Sequence, residues 1–340
     1  MAQVLLDVLR GLKTDRTPLW LMRQAGRYLP EYRDVRGQAG NFMNLCFTPK
    51  YAAEVTLQPI RRFGFDGAII FSDILVVPHA LGRSVRVEDG VGPLLEPISS
   101  ASELGQAKPG EVKARLAPVY EAISQVKAAL PKETTLIGFC GAPWTVATYL
   151  AEGRGSPDQR AAKLWAYRAP EDFAQLMNIL VDASCEHLAA QVAAGAEVVQ
   201  IFDTWAGALA TDGSFERWCI EPTRALVQAF RKRCPTTPVI GFPRGAGQRL
   251  GAYTKATGIT AVSVEGTLAL DDARRLCGPQ IVLQGNLDPL ALVAGGGALT
   301  GSVEAIRKQV QGGHIFNLGH GILPDTPIAH VEQLVRLVRS

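Results

Sequence analysis

The sequence has little of what marks several common classes of protein. Its six cysteines form no Cys-x-x-Cys pair, so neither a zinc ribbon nor a disulfide framework is indicated, and they are typical of free thiols in a reducing compartment. The formal net charge is only +3 and no long block of lysine and arginine occurs, which does not favour nucleic-acid binding. No apolar window approaches the length that spans a bilayer, and no secretory cleavage site is apparent. We expect a cytoplasmic protein that binds neither nucleic acid nor membrane.

Motifs for nucleotides, metals and serine hydrolysis are also missing. No Gly-x-Gly-x-x-Gly or Walker A motif follows a candidate strand, and no Gly-x-Ser-x-Gly turn is present. Cys185 and His187 are two positions apart within a helical pattern, where they face different sides and are unsuited to chelation. The sequence predicts no metal site and no cofactor.

What the sequence does contain is a regular alternation of short apolar runs with longer amphipathic segments. The candidate strands are residues 19–22, 67–71, 135–139, 197–202, 238–242, 260–264, 280–283 and 314–318. The helical patterns are residues 48–63, 111–130, 169–194, 220–234, 270–277, 301–311 and 328–339. Eight strands that alternate with helices predict a parallel (β/α)8 barrel. We expect a single domain over residues 1–340, with residues 1–17 as an N-terminal capping segment.

Local signals place several of these boundaries. Thr48 and Pro49 are typical of a helix start, whereas Gly64 and Gly195 follow helical patterns at the position of a C-cap. Residues 83–93 predict a β-hairpin with its turn near Glu88-Asp89-Gly90. Residues 294–300 are glycine-rich and predict a flexible loop.

Residues 18–33 present two arginines directly after the first candidate strand. The run Leu19-Trp20-Leu21-Met22 leads into Arg23, and Arg27 follows after Gly26, which frees the backbone to turn. Pro30 is suited to the first turn of a following helix. The plain alternative is that both arginines are solvated surface charges, but a loop held between two rigid elements favours an anionic ligand.

Polar and aromatic side chains follow the other strands too, at the end of a parallel barrel that carries its functional loops. They include Ser72, Asp73, Tyr149, Asp203, Thr204, Trp205, Arg244, Glu265, Gln284, Asn286 and His320. Each has a structural alternative: Asp73 is suited to capping a turn, Tyr149 to packing on a helix, and His320 to loop geometry. For Asp203, and for Glu152, we expect a capping or ion-pairing role.

Two segments resemble signatures of the uroporphyrinogen decarboxylase family. They are PLWLMRQAGRYLPEYR at residues 18–33 and GFCGAPWTVATYLAEG at residues 138–153. FSDIL at 71–75, FDTWAG at 202–207, LQGNLDP at 283–289 and NLGHGILP at 317–324 extend the resemblance over most of the chain. The resemblance implies a distorted (β/α)8 barrel, a homodimer, and conversion of uroporphyrinogen III to coproporphyrinogen III without a cofactor in haem biosynthesis.

The resemblance also implies site residues. The family's substrate-binding loop corresponds to Arg23, Gln24, Ala25, Gly26 and Arg27, its essential aspartate to Asp73, and its tyrosine and histidine to Tyr149 and His320. Thr204 stands where many members have serine, and Glu265 stands where an aspartate is expected; the role of that carboxylate stays open.

A substrate with four acetates and four propionates accounts for the arginines, because guanidinium groups bind carboxylates in a bidentate manner. We predict Asp73, Arg23 and Arg27 as catalytic: Asp73 would accept the pyrrole N–H bonds and stabilise a cationic intermediate. Arginine is a poor general acid, so the proton donor stays open among the two arginines, a water molecule and His320.

Two other functions are compatible with parts of this pattern. A cobalamin-linked methyltransferase of the related barrel superfamily needs a zinc site with a His-x-Cys pair, whereas this chain has only Cys-x-His within a helix. A carrier that binds tetrapyrroles without catalysis would need the arginines but not Asp73.

Overall fold

A parallel sheet of seven strands forms the centre of the computed structural model, which describes residues 3–88, 91–104, 109–310 and 312–340. The strands are β1 (Gly67–Ile69), β4 (Thr135–Gly141), β5 (Val198–Asp203), β6 (Val239–Pro243), β7 (Ala261–Ser263), β8 (Val282–Leu287) and β9 (His314–Leu318). They lie side by side in the order in which they occur in the chain. Every pair is parallel, so all carboxyl ends meet at the same end of the sheet.

The segment around Leu19 links the two edges of this sheet. Leu19 forms a parallel bridge with Phe316 of β9, and its carbonyl accepts the backbone N–H of Asp66, which directly precedes β1, over 2.9 Å. The prediction of a strand over residues 19–22 is wrong in its extent, because only this bridge forms. The N–H of Met22 instead binds the side chain of Asn317 over 3.0 Å. The eighth position of the ring is thus occupied by a short extended segment.

The helices pack around the sheet. They are α1 (Val4–Leu9), α2 (Pro30–Ala39), α3 (Phe42–Phe47), α4 (Pro49–Phe63), α5 (Val76–Ala80), α6 (Pro109–Arg115), α7 (Ala117–Ala129), α8 (Pro143–Glu152), α9 (Arg160–Arg168), α10 (Pro170–Ala194), α11 (Glu221–Arg233), α12 (Leu250–Thr257), α13 (Leu270–Cys277), α14 (Pro289–Ala294), α15 (Gly296–Gln309) and α16 (Ile328–Arg339). Thr48, Gly64 and Gly195 cap their helices as predicted. Helix α1 lies within the predicted N-terminal capping segment, residues 1–17.

Several predicted boundaries differ from the structure. The helix expected over residues 111–130 is two helices, α6 and α7, that meet at Leu116, since Pro118 in the first turn of α7 has no N–H to continue a helix. The loop expected over residues 294–300 is largely the start of α15. The strand expected over residues 280–283 runs instead from Val282 to Leu287, so Gln284 and Asn286 lie within β8.

The predicted hairpin forms from β2 (Val85–Glu88) and β3 (Gly92–Leu95), which pair in antiparallel register. The turn predicted at Asp89 and Gly90 lies outside the described residues. The bridge between Leu94 and Arg154 places this hairpin beside the end of α8.

Inside the barrel, a small polar network lies among apolar side chains. Trp20 donates its indole N–H to Gln284 Oε1 over 3.0 Å, and Gln284 Nε2 donates to Gln200 Oε1 over 3.1 Å and to Ser263 Oγ over 2.5 Å. Trp20, Gln200 and Gln284 are completely buried. These bonds connect the Leu19 segment with β5, β7 and β8 through the interior, so the first loop is anchored to the barrel.

Candidate active site

The loop over residues 23–27 is held by its second residue, Gln24. The Gln24 side chain is completely buried; its Nε2 donates to the carbonyl of Gly67 over 3.0 Å, and its Oε1 accepts the N–H of Leu21 over 3.1 Å. Tyr28 donates its hydroxyl to the Gln24 carbonyl over 2.8 Å. Both polar ends of the Gln24 side chain are therefore used to fix the loop against β1.

The two arginines of this loop extend from that base into solvent. Arg23 has a φ of +62°, a left-handed conformation that costs a non-glycine residue about 1–3 kcal/mol and persists only where the surroundings impose it. Ala25 beside it is buried. A Cβ placed on Gly26 would lie 2.9 Å from the Arg23 carbonyl oxygen, so glycine is needed for this turn. Both arginines are exposed, and in the part of the chain that the structure describes neither forms an ion pair.

The Arg23 side chain crosses to the loop after β9. A Cβ on Gly321 would lie 2.5 Å from Arg23 Cδ and 3.1 Å from its Nε. The glycine next to His320 thus makes room for the arginine of the first loop. The structure brings together two predicted site residues, Arg23 and His320, that are almost 300 positions apart in the chain.

Asp73 follows β1. One of its carboxylate oxygens is hydrogen-bonded within a turn, and the other is available to bind a ligand. Its Oδ1 accepts the N–H of Leu75 over 2.8 Å, so the capping alternative describes one of its contacts. Burial raises the pKa of Asp73, while the hydrogen bond from Leu75 and the charge of Arg23 act in the opposite direction. In the described part of the chain, Oδ2 has no hydrogen-bond donor, which leaves it open to a ligand.

Tyr149 projects from α8 towards the same carboxylate. Burial raises the pKa of Tyr149; the negative charge of Asp73 adds to the shift, and the positive charge of Arg23 opposes it. The phenol therefore stays protonated at neutral pH and is able to donate a hydrogen bond. The charge of Arg23 acts on both Asp73 and Tyr149, and the charge of Asp73 acts on Tyr149, so the three side chains form one group.

Thr204 follows a structural carboxylate at the end of β5. Asp203 is completely buried and accepts the Thr145 hydroxyl over 2.6 Å. That hydroxyl in turn accepts the N–H of Trp205 over 3.1 Å. Burial raises the pKa of Asp203 to about 6 even though the Thr145 bond lowers it. Thr204 lies between these two anchored residues and is only partly buried.

Glu152 has the capping role that we expected. Its Oε1 accepts the backbone N–H groups of Ala161 and Ala162 over 2.5 and 3.3 Å at the start of α9. This carboxylate thus fixes the chain after α8 and has no part in the group around Asp73.

His320 lies at the exit of β9 with a defined tautomer. Its Nδ1 is 3.1 Å from the carbonyl oxygen of Gly321; because a carbonyl only accepts, Nδ1 carries the hydrogen and Nε2 is left for a ligand. Burial lowers the pKa of His320 and the charges of Arg244 and Arg23 lower it further, while the hydrogen bond with Gly321 and the charge of Asp288 oppose this shift. The imidazole of the free protein is therefore neutral at pH 7.

Two other predicted exits, Gln284 and Asn286, belong to the framework of the barrel. Asn286 Nδ2 donates to the carbonyls of Glu265 and Leu268 over 3.1 and 2.7 Å, which holds the loop after β7. The Glu265 side chain is partly exposed at that loop.

A third arginine, Arg36, was missed by the sequence prediction. Its guanidinium carbon lies 6.0 Å from the centre of the Phe42 ring. Phe42 and Tyr32 each pack on Phe71 with ring centres 5.6 Å apart, and Phe71 precedes Asp73 by two residues. The available signal was the spacing of Tyr32 and Arg36 on α2, since positions i and i+4 share one face of a helix.

A surface groove lies at the other end of the barrel. It has a volume of about 430 Å³ and is lined by Gln3, Asp7, Arg10, Lys127, Leu130, Pro131, Lys132 and Glu197. Lys127 and Glu197 form an ion pair across it over 2.8 Å. It contains none of the predicted site residues, and it lies at the amino ends of the strands.

The described residues show neither a cluster of metal ligands nor a membrane-spanning helix. Within residues 3–88, 91–104, 109–310 and 312–340, no group of three or more histidine, cysteine, aspartate or glutamate side chains is arranged to hold a metal ion. His187 instead shares a 3.1 Å hydrogen bond with the hydroxyl of Tyr120. None of the helices in the same ranges is long and apolar enough to cross a bilayer.

Comparisons with known proteins agree with this geometry. The model of a family described as Uroporphyrinogen decarboxylase (URO-D) matches residues 2–340. A protein named uroporphyrinogen decarboxylase from Mesorhizobium japonicum is 55% identical over 340 residues, which cover 100% of this chain and 98% of the relative. One of the same name from Chelativorans sp. (strain BNC1) is 53% identical over 339 residues, or 99% of this chain and 98% of the relative.

Among solved structures, a methyltransferase from Methanosarcina mazei matches with a TM-score of 0.82 over 99% of this chain and 98% of its own, at 20% identity. That likeness concerns the fold alone, and it confirms the predicted barrel class together with the family match. The resemblance noted in the sequence motifs is confirmed over the full length. The chain belongs to the uroporphyrinogen decarboxylase family.

Proposed function

We propose that this chain removes the four acetate carboxyl groups of uroporphyrinogen III as CO2 and so produces coproporphyrinogen III in porphyrin biosynthesis. Membership of the family supports this carboxy-lyase activity. The observation that carries it is the position of Asp73, a carboxylate at a strand exit with one oxygen held by Leu75 and the other facing a site with Arg23 and Tyr149.

The arginines are suited to the periphery of the substrate. Uroporphyrinogen has eight carboxylates around an apolar ring, so a site for it needs cationic forks at its edge and apolar contacts beneath. Arg23 and Arg27 are exposed on a fixed loop, and Arg36 adds a third cation beside Phe42 and Phe71. Gln24 and Ala25 are buried in the base of the loop, and in this proposal they position the arginines.

Asp73 has the central role. We assign it to accept the pyrrole N–H groups, which places a negative charge where the ring becomes positive. Its partly desolvated surroundings strengthen this electrostatic interaction, and a fixed group of this kind contributes about 3–4 kcal/mol to transition-state stabilisation. Tyr149 is assigned to donate a hydrogen bond near the same position, with Thr204 and His320 as further substrate contacts.

The pyrrole itself serves as the electron acceptor in each step. A proton added to a ring carbon produces an iminium cation; the bond between the methylene and the carboxylate then breaks, CO2 leaves, and the electron pair neutralises the cation. A second proton converts the methylene into a methyl group, and loss of the first proton restores the pyrrole. Each acetate thus consumes one proton and releases one CO2.

The surroundings of the candidate donors narrow the choice of proton source. The lowered pKa of His320 leaves its imidazole neutral in the free protein, and arginine has a pKa above about 12. A water molecule is therefore favoured as the proton source over both His320 and the arginines at neutral pH.

The organisation of the chain is part of the proposal. We propose one domain over residues 1–340, supported by contacts at both ends: Gln3 Nε2 donates to Glu197 Oε1 over 3.0 Å, and Arg339 hydrogen-bonds the carbonyl of Gly64. The family resemblance supports a homodimer, and light scattering should give twice the 36.5 kDa mass of one chain. Six free cysteines support a reducing compartment such as the cytoplasm.

Anaerobic incubation with uroporphyrinogen III is the direct test. The purified chain should release four CO2 in sequence, with hepta-, hexa- and pentacarboxylate intermediates visible by chromatography after oxidation to porphyrins. Binding of uroporphyrinogen without CO2 release would refute the decarboxylase and favour a tetrapyrrole carrier.

A further inference from the structure

Arg244 lies on the opposite side of the barrel from Arg23 and Arg27, although it is far from them in the sequence. The ring runs from the Leu19 segment through β1, β4, β5, β6, β7, β8 and β9 and back to Leu19. In this order β6 is four positions from the Leu19 segment in either direction, which is directly across the barrel. The loop after β6, with Arg244, therefore faces the loop with Arg23 and Arg27 across the mouth of the barrel.

The backbone of Arg244 is fixed at this exit. Its N–H donates to the carbonyl of Asp203 over 3.0 Å, and its own carbonyl accepts the N–H of Gly207 over 2.8 Å. The backbone segments after β5 and β6 approach so closely that a Cβ on Gly207 would lie 2.6 Å from the Cα of Gly245. Because Asp203 pairs with Pro243 in the register of β5 and β6, Arg244 begins beside Thr204, a predicted substrate contact.

A second arginine holds this pair of loops and leaves Arg244 free. Arg249 donates to the carbonyls of Leu209 and Gly207 over 2.7 and 3.2 Å, and its guanidinium carbon lies 4.2 Å from the centre of the Phe215 ring. The Arg249 side chain therefore holds these two loops together and has a structural role. The Arg244 side chain is exposed, and in the described ranges it forms no ion pair.

Two acidic groups near this exit, Asp203 and Asp288, are committed to other contacts. Asp203 is buried against Thr145. Asp288 caps α14, where its Oδ1 accepts the N–H of Leu290 over 2.9 Å. The charge of Arg244 reaches His320, whose pKa it lowers together with Arg23. His320 thus lies within the electrostatic field of arginines from both sides of the barrel mouth. These two cations would stabilise an anionic ligand bound between them.

We propose that Arg244 binds a side-chain carboxylate of uroporphyrinogen from the wall opposite Arg23 and Arg27. This inference rests on the proposed function and extends it to the far edge of the substrate. A macrocycle with carboxylates on every side, bound with its pyrrole N–H groups on Asp73, directs some of them away from the first loop. A guanidinium at the opposite strand exit is placed to meet them in a bidentate manner.

The test compares Arg244→Gln and Arg244→Lys with Arg336→Gln, a control on the exposed face of α16. Kinetics with uroporphyrinogen III under anaerobic conditions should show KM raised about 10-fold in Arg244→Gln, the size of one lost charge-assisted hydrogen bond, with kcat within about twofold. Arg244→Lys should restore part of the loss, whereas Arg336→Gln should match the unsubstituted chain. An unchanged KM in Arg244→Gln, or a loss confined to kcat, would overturn the proposal.

Inhibition by coproporphyrinogen distinguishes the two kinds of carboxylate. That product keeps the four propionates and lacks the acetates, so weaker inhibition of Arg244→Gln assigns the contact to a propionate, and unchanged inhibition with a raised substrate KM assigns it to an acetate. An unsubstituted chain that releases no CO2 would refute the proposed function and this inference with it. An active chain with an unchanged Arg244→Gln variant would refute only the role of Arg244.

Discussion

The Thr145 hydroxyl donates a 2.6 Å hydrogen bond to the buried Asp203 carboxylate, at the point where β5 ends. The same hydroxyl accepts the N–H of Trp205, and the Asp203 carbonyl accepts that of Arg244. A residue that resembles a catalytic carboxylate by its position is thus used to fix two neighbouring loops. Asp73 has the opposite arrangement, with an oxygen left available beside Arg23.

Asp203→Asn should make the protein more stable at alkaline pH. Burial raises the pKa of Asp203 from 3.8 to about 6, so the folded state binds more protons than the unfolded state between those values. Stability is therefore lost as the pH rises through this window, on the order of 3 kcal/mol. The amide does not ionise and avoids this loss.

Urea unfolding at pH 4.5 and pH 8 measures the effect. The free energy of unfolding of Asp203→Asn, relative to that of the unsubstituted chain, should increase by about 2 kcal/mol from pH 4.5 to pH 8. A difference that stays constant with pH would contradict the raised pKa of the buried carboxylate.

Asp73→Asn should remove catalysis and keep the fold. Loss of the charge that stabilises the cationic intermediate should lower kcat about 10²–10³-fold, with binding of uroporphyrinogen retained. Because burial raises the pKa of Asp73, its ionised form destabilises the folded state at neutral pH, and the amide should not lower the melting temperature. Asp182→Asn, on the exposed face of α10, is the matched control. CO2 release by Asp73→Asn at the normal rate would disprove its assignment.

Gly321→Ala should impair the enzyme through Arg23. The new methyl group would occupy the position of the Arg23 side chain, only 2.5 Å from Cδ. A flexible side chain moves readily, so we expect a fall of about 10–100-fold in kcat/KM from the misplaced guanidinium and little change in the unfolding midpoint.

Gly37→Ala is the control for that substitution. Gly37 lies within α2, and nothing is within 4 Å of the position of its added Cβ. Alanine should stabilise this helix by about 0.5–1 kcal/mol without altering kcat/KM. Normal kinetics in Gly321→Ala would show that Arg23 does not need its observed place.

Arg23→Lys tests the guanidinium fork itself. Lysine keeps the positive charge but loses the planar pair of donors, so kcat/KM should fall by about 10-fold or more. Arg61→Lys serves for comparison, since Arg61 pairs with Glu54 on the outer surface of α4 and is exposed. Equal kinetics for both variants would mean that Arg23 contributes only charge.

Much of the architecture was predictable because its signals are local. The apolar runs that became β4, β5, β6 and β9 and the periodic segments that became α10 and α13 depend on neighbours within a few residues. A parallel barrel then brings every carboxyl end together, so the order of strands alone predicted that Arg23, Asp73 and His320 share one end of the molecule.

Only the tertiary structure decided how those side chains are used. Leu19 closes the ring by a single bridge to Phe316, and the Gln24 side chain is hydrogen-bonded to the backbone of β1. Arg36 lies over the ring of Phe42. These contacts could not be predicted from short stretches of sequence, because they depend on how the chain folds. The place of Arg244 opposite the first loop follows from counting strands around a closed ring. The Arg244 side chain is available for a ligand because Arg249 holds the neighbouring loops and Asp203 is bound to Thr145. These hydrogen bonds form only once the chain has folded.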